Sequence, residues 1–337
     1  MEINDLSSVH FDVQWPQDRP FQVIGQGMDA VDWICVLPDY PKYASRVEIG
    51  EIHKLGGGPC ATATALCARY GLKVRFIGRL GDDDSGRFSL ADLEKESMDL
   101  SCLQIVRGAE TQLAIILVDA ATGERTVLWK RDPRLVYQEG ELKRDCIVAG
   151  QLLHLDGQDQ TASIQAARWA REAGMKVSLD IDVPQPGAKE LLRLTSFLIP
   201  SLEFVRKFTG REDWRSGLLE LAKLTDGFVA TTRGNQGAAL VWEGEIIEVP
   251  ALSVEAVDTT GAGDVFHGAF AYSLFQNWSV ARCLRFASTT AGLSCRRLGA
   301  RSGIPTLEEV LAEMSGDQQR NSAPQRSGGH SRGESVE

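Results

Sequence analysis

Hydrophobic and polar positions along this chain follow two alternating periods. Short runs of aliphatic and β-branched residues predict strands at 21–24, 74–78, 152–155, 176–180, 196–199 and 228–232. Between them, apolar residues recur at helical spacing over 60–70, 87–96, 161–173, 188–195, 202–208, 214–225 and 280–295. A further apolar segment runs from Asp264 through Leu274, long enough for a helix. Local signals mark several helix ends: Pro59 suits a first helical position, Asp82-Asp83-Asp84-Ser85-Gly86 offers a cap, and Gly71 and Gly174 offer stops. Strand and helix in strict alternation predict an α/β fold, a central, mostly parallel sheet with helices on both faces.

Two stretches break the rhythm. Residues 111–119 and 125–129 are β-rich and flank Ala120-Ala121-Thr122-Gly123-Glu124, as a hairpin would. Residues 43–55 alternate weakly, like an exposed strand pair. Segments 39–55 and 111–130 are therefore expected to form a separate small sheet. A second hairpin is expected from 238–241 and 246–249. The first 19 residues read as a loosely held leader, and 315–337, rich in Gln, Ser, Arg and Gly, as a disordered tail.

Composition narrows the class. The 337 residues can bury a large core, with 43% hydrophobic and 24% charged residues. A net charge of −10 argues against nucleic acid or an anionic membrane as the main partner. No apolar run approaches membrane-spanning length, and the N-terminus lacks a signal peptide's apolar centre. The seven cysteines form no C-x-x-C pair, and Cys60, Cys67 and Cys283 fall in helical apolar patterns, so they are read as reduced, mostly buried thiols of a cytoplasmic protein. Gly25-Gln26-Gly27-Met28-Asp29-Ala30 has the glycine spacing of a dinucleotide loop, but the β-forming run 31–37 follows where a helix would be needed. Three carboxylates at 82–84 suggest capping more than a metal.

The chemistry concentrates in Asp258-Thr259-Thr260-Gly261-Ala262-Gly263-Asp264. The free N–H groups of a helix start favour an anion, and a carboxylate beside them can act as a general base. The same positive helix end would hold Asp264 as an anion, which makes it a weak base by pKa. With Phe266-His267-Gly268-Ala269-Phe270, this string resembles the C-terminal signature of the PfkB, or ribokinase-like, sugar kinases. Gly56-Gly57-Gly58-Pro59 through Gly78-Arg79-Leu80-Gly81-Asp82 and Gly86 resembles their N-terminal signature.

The resemblance spans roughly residues 20–312 and implies a ribokinase-like kinase domain over 20–314, with the small sheet as a lid. It implies ATP and Mg²⁺ as cofactors, possible K⁺, a sugar as substrate, and a possible homodimer through the lid. Asp264 takes the catalytic position and Gly261, Ala262 and Gly263 the anion hole. Asp32, Gly57, Gly58, Asp156 and Arg131 fall on the substrate side. Thr232, Gly234, Gly237 and Ser288 fall on the nucleotide side. Glu203 matches a residue that organises Mg²⁺ through water, with Ser201 where the family often has Asn. Asp258, Thr260 and Gly299 lie near a monovalent-cation site. No G-x-x-x-x-G-K-[ST] occurs, which excludes a P-loop kinase. The reading is an ATP-dependent kinase for a hydroxyl of a sugar or sugar derivative. The alternatives are a nucleoside kinase of the same superfamily and a non-catalytic sugar- or nucleotide-binding regulator.

Overall fold

A computed structural model describes residues 1–322. Fourteen strands follow in order: β1 Phe21–Gln26, β2 Ala30–Leu37, β3 Glu51–Gly57, β4 Val74–Ile77, β5 Arg79–Gly81, β6 Gln104–Val106, β7 Leu113–Asp119, β8 Arg125–Lys130, β9 Gly150–Leu155, β10 Lys176–Leu179, β11 Phe197–Leu198, β12 Phe228–Thr232, β13 Ala238–Trp242 and β14 Glu245–Val249. Eight of them build the main sheet in the order β14-β13-β12-β11-β10-β9-β1-β4. The pairs from β4 to β12 are parallel, and β12–β13 and β13–β14 are antiparallel. Strands β9 and β10 are buried almost throughout, as expected where helices cover both faces.

One face carries the helices Pro59–Arg69, Ala262–Leu274 and Val280–Ser294, packed through residues such as Leu66, Phe270 and Phe286. The other carries Gln160–Glu172, Ala188–Leu194, Leu202–Thr209 and Trp214–Leu221, packed through Ala166, Leu191, Phe204 and Leu218. No described helix is long and apolar enough to cross a membrane.

The small sheet runs β3-β2-β7-β8, and its membership corrects the expectation. Residues 31–37 belong to it as β2, while no strand is assigned over 38–50. The turn at 27–29 is too short for a helix and sends the chain from the main sheet directly into the lid.

The leader is not loosely held. Ile3 and Leu6 are buried, and Val9 accepts a backbone hydrogen bond from Val280. Phe11 meets Phe197, Phe228 and Phe270 edge-on, and Trp15 stacks on Phe275 at 4.3 Å. Spaced aromatics in a polar stretch carry this docking, and periodicity does not reveal them. The expected tail start at 315 falls inside the helix Leu307–Ser322, and the rest of that expectation, 323–337, lies outside the described residues. The reading of the cysteines is corrected at one pair. Cys102 and Cys146 are joined in a disulfide, with Cα atoms 6.2 Å apart, whereas Cys35, Cys60, Cys67, Cys283 and Cys295 are free and buried.

Asp83 caps the helix Asp84–Leu93 by accepting from Gly86 N at 2.8 Å, and also accepts from Thr111 Oγ1. Asp82 accepts from Gly108 N, and Asp84 pairs with Arg87. The acidic run thus organises turns.

Candidate active site

The polar residues of the cleft gather at the C-terminal ends of the parallel strands, the place where open α/β sheets bind ligands. Asp156 follows β9, Asp180 and Asp182 follow β10, Ser201 and Glu203 follow β11, and Thr232 ends β12. The helix Ala262–Leu274 points its N-terminus into the same space. Gly261 caps it with φ of 76°, and a Cβ there would collide with Ala300, lying 2.7 Å from its Cα. A Cβ on Gly263 would meet nothing within 4 Å, so the space beside Gly263 is open, whereas Ala262 N already donates to Thr259 O at 3.3 Å. That combination suits an anion.

Asp264 lies in the first turn of this helix and is half-buried. Its acidity differs from the sequence expectation. Burial, then the nearby charge of Asp182, pushes its carboxyl up to about 7, with Arg125 acting in the opposite direction. Desolvation of the charged form and a like charge outweigh the helix end. Asp264 is therefore a better base than its position alone predicts.

Behind it, the His267 ring lies between two carbonyls, with Nδ1 2.7 Å from Gly263 O and Nε2 2.8 Å from Ile199 O, and while neutral it donates to one of them. Asp180 stands 3.3 Å from the same ring. Burial lowers the His267 pKa, and raises that of Asp180 well above the usual range. Sequence reasoning gave roles to neither, nor to Asp182, although Asp180-Ile181-Asp182 after an apolar strand was a usable signal.

Among the residues expected on the substrate side, Asp32 is 5% exposed and has no hydrogen-bond partner among the described residues. Burial raises its pKa to about 7, partly offset by Arg301, and the charge of Asp264 also acts on it. A Cβ on Gly57 would overlap the Asp32 carboxylate. Gly58, with φ of 88°, caps the helix Pro59–Arg69 and lies so near the 28–30 backbone that a Cβ would sit 2.6 Å from Asp29 Cα. The two glycines thus bring lid and helix together around Asp32. Asp156 is buried and takes backbone N–H groups from Met28 at 2.6 Å and Gln158 at 3.1 Å. Arg131 donates to Gln158 O at 2.9 Å.

A buried network that the sequence did not disclose joins the lid base to the C-terminal segment. Arg301, 2% exposed, pairs with Asp29 and, at 3.2 Å, with Asp92; Ser89 also donates to Asp29. These residues come from three distant segments, so no local motif could mark them.

Among the residues expected on the nucleotide side, Gly234 lies in a short turn after Thr232, and Gly237 packs against 249–251. Ser288 donates to Pro250 O at 2.9 Å, which brings it to the same segment. Asp258 accepts from Thr260 N and Gly299 N, each at 2.8 Å, so these three residues converge. Thr260 Oγ1 is buried without a partner. Glu203 is exposed and pairs with Lys207 at 2.6 Å.

The lid touches this machinery at its hairpin tip. Arg125 Nη1 donates to Thr259 Oγ1 at 2.9 Å, and Thr259 donates to Gly123 O.

Comparison with known proteins places the fold and the family. The ATP-dependent ribose-1-phosphate kinase of Halopiger xanaduensis is 29% identical over 82% of this chain and 92% of its own. The ribokinase of Haemophilus influenzae is 29% identical over 83% and 94%. The fold matches that of Arabidopsis thaliana ribokinase, solved with ribose and ATP, with a TM-score of 0.73, 24% identity, and coverage of 87% and 98%. A profile described as pfkB family carbohydrate kinase matches residues 23–307, and the chain belongs to that family.

Proposed function

We propose that this member of the carbohydrate kinase family transfers the γ-phosphoryl group of ATP to a hydroxyl of a sugar derivative, with Asp264 as the base. The observation that carries this reading is the Asp264 carboxyl in the first turn of a helix whose N-terminus is open at Gly263, with burial and Asp182 raising its pKa. The amides of Gly261, Ala262 and Gly263 would stabilise charge on the transferring group, and Asp264 would orient the hydroxyl and take its proton late in the step. Asp32 and Asp156 would hold the acceptor's other hydroxyls, accepting from them in the ionised form. Thr232, Gly234, Gly237 and Ser288 would line the nucleotide side.

The residues fit the implied ions in different ways. The described residues contain no group of three or more His, Cys, Asp or Glu side chains suited to a metal. Asp182 and Glu203 would help hold a divalent ion bound with the triphosphate, and that ion would supply neutralisation of phosphate charge. The unpartnered Thr260 Oγ1, with Asp258 and Gly299 beside it, fits a monovalent cation that would steady the loop before the anion hole.

The outer lid face exposes Trp33, Ile52, Ile115 and Leu128. A second copy packed there would cover this surface, and sedimentation over a concentration series tests it: a monomer throughout removes the dimer. A cytoplasmic location is part of the same reading; the five free thiols are in keeping with it, and the Cys102–Cys146 disulfide stands against it.

The function is tested by coupled ADP release with a panel of sugars, sugar phosphates, sugar acids and nucleosides. Acceptor-dependent ATP turnover is expected. Binding of both ligands without turnover would favour the regulator instead.

A further inference from the structure

Four consecutive residues, Leu298 to Arg301, touch both halves of the cleft. Leu298 packs on the lid's apolar core, as Leu55 does. Gly299 has φ of 84°, and a Cβ on it would lie 2.5 Å from Leu55 Cδ1, so strand β3 comes close against it. Its N–H donates at 2.8 Å to Asp258, in the loop that leads to the anion hole. Ala300 presses on Gly261, the cap of the Asp264 helix, where a Cβ on Gly261 would lie 2.7 Å from the Ala300 Cα. Arg301 then reaches the lid hinge and pairs with Asp29, in the three-residue turn between β1 and β2.

The segment is anchored from behind. The Arg301 carbonyl accepts from Arg69 Nη1 at 2.8 Å, and Arg69 pairs with Glu96 at 2.7 Å. The Arg301 guanidinium is buried against Gly56 of β3, where any Cβ would overlap it. One side of its fork meets Asp29. On the other, Nη2 stands 3.2 Å from Asp92 without forming a hydrogen bond, and Nε is also buried without a partner. Buried donors left unmade are costly. Apolar packing would fill this space without that cost, so the guanidinium has to be accounted for by what it joins.

We propose that Arg301 is a positioning residue for the transfer: by pinning Asp29 and Gly56 to the segment that seats Ala300 on Gly261, it ties the setting of the lid to the setting of the anion hole. An acceptor held under the lid and a phosphate held at the helix end then strengthen each other's binding. This rests on the kinase reading above and adds to it a residue set behind both ligand positions.

The test is a coupling measurement by calorimetry on the full chain. A non-hydrolysable ATP analogue with Mg²⁺ is titrated with and without saturating acceptor. The acceptor is whichever of ribose, ribose 1-phosphate, fructose and adenosine gives the fastest ADP release with ATP. In the wild type the acceptor should tighten analogue binding at least about fivefold, the lower end for coupled sites. Arg301→Lys should lose part of that factor and keep the rest, because it keeps the charge on Asp29 and loses the planar fork. Asp29→Asn combined with Arg301→Met removes both charges, so neither is left buried alone, and the factor should fall to near one. Melting temperature is followed alongside. A merely structural role would lower it and the active fraction, and would leave the factor, a property of the folded molecules, where it was. A wild-type factor near one, or a factor in either variant equal to the wild type's, would overturn the proposal while leaving the kinase reading intact. ADP release with none of the four acceptors would overturn both.

Discussion

The main sheet and the lid present their strands to very different surroundings. Strand β9 is buried along nearly its whole length, while every residue of β8 is exposed. The lid's own apolar core is Ile34, Ala114, Ile116 and Val118, with Leu55 and Leu298 against it. The main sheet is instead covered by helices on both faces. Regions with few buried apolar contacts open locally at lower free energy than a protein's core. The rigid half supplies Asp156, Asp180, Asp182 and the helix bearing Asp264; the looser half supplies Asp32, Arg125 and Arg131. Under the proposed function, charge placement for the reaction comes from the deep layer, while holding of the acceptor is shared between Asp156 of that layer and Asp32 of the lid.

The sharpest way to break this division is Asp264→Asn. Loss of a positioned base should reduce turnover by about 10²- to 10⁴-fold. Asn is nearly isosteric, so ATP and acceptor binding measured by calorimetry should persist. A variant keeping more than about a tenth of wild-type turnover would remove Asp264 from catalysis. Next in size is Leu153→Ala in β9, fully buried against the second helix layer. It should cost about 2–5 kcal/mol in a denaturant titration. A cost under ~1 kcal/mol would mean the deep layer is not the rigid one.

Asp32→Asn, assayed at pH 8, should weaken acceptor binding by about 10- to 100-fold through a charged hydrogen bond and leave ATP affinity nearly unchanged. A parallel fall in ATP affinity would place Asp32 at the wrong end of the cleft. The smallest effect is expected from Leu128→Ala on the outer lid face, within about 0.5 kcal/mol of wild type in stability at dilute protein concentration. A larger loss would show that β8 is packed more firmly than its exposure indicates.

Much of the architecture was legible because strand–helix alternation is a local signal, and the main-sheet strands fell close to their expected places. The lid was legible only in part. Its strand β2 follows β1 after three residues, and only pairing with β3 and β7 assigns it to a different sheet. The anion-hole string was legible because its glycines, Asp264 and helix start are contiguous. Arg301, Asp29 and Asp92 were not, since their meeting depends on tertiary folding. The acidity of Asp264 was misjudged for the same reason: the helix end is visible in sequence, whereas burial and the neighbouring Asp182 are not.

The raised pKa values also set a sign for stability. Asp32 and Asp264 bind protons more tightly in the folded chain than in the unfolded one. Their contribution is fully present below about pH 4, the ordinary Asp range, and is lost as pH rises through about 7. Activity should move the opposite way, because the base must be ionised.

The most direct test is therefore the pH dependence of kcat/KM for the free enzyme, in the wild type and in Asp264→Asn. The account predicts a wild-type profile that rises through a midpoint at about 7, and a low residual rate in Asp264→Asn without that rise. A midpoint near the ordinary Asp value of about 4, or a rise near neutrality that survives in Asp264→Asn, would contradict it.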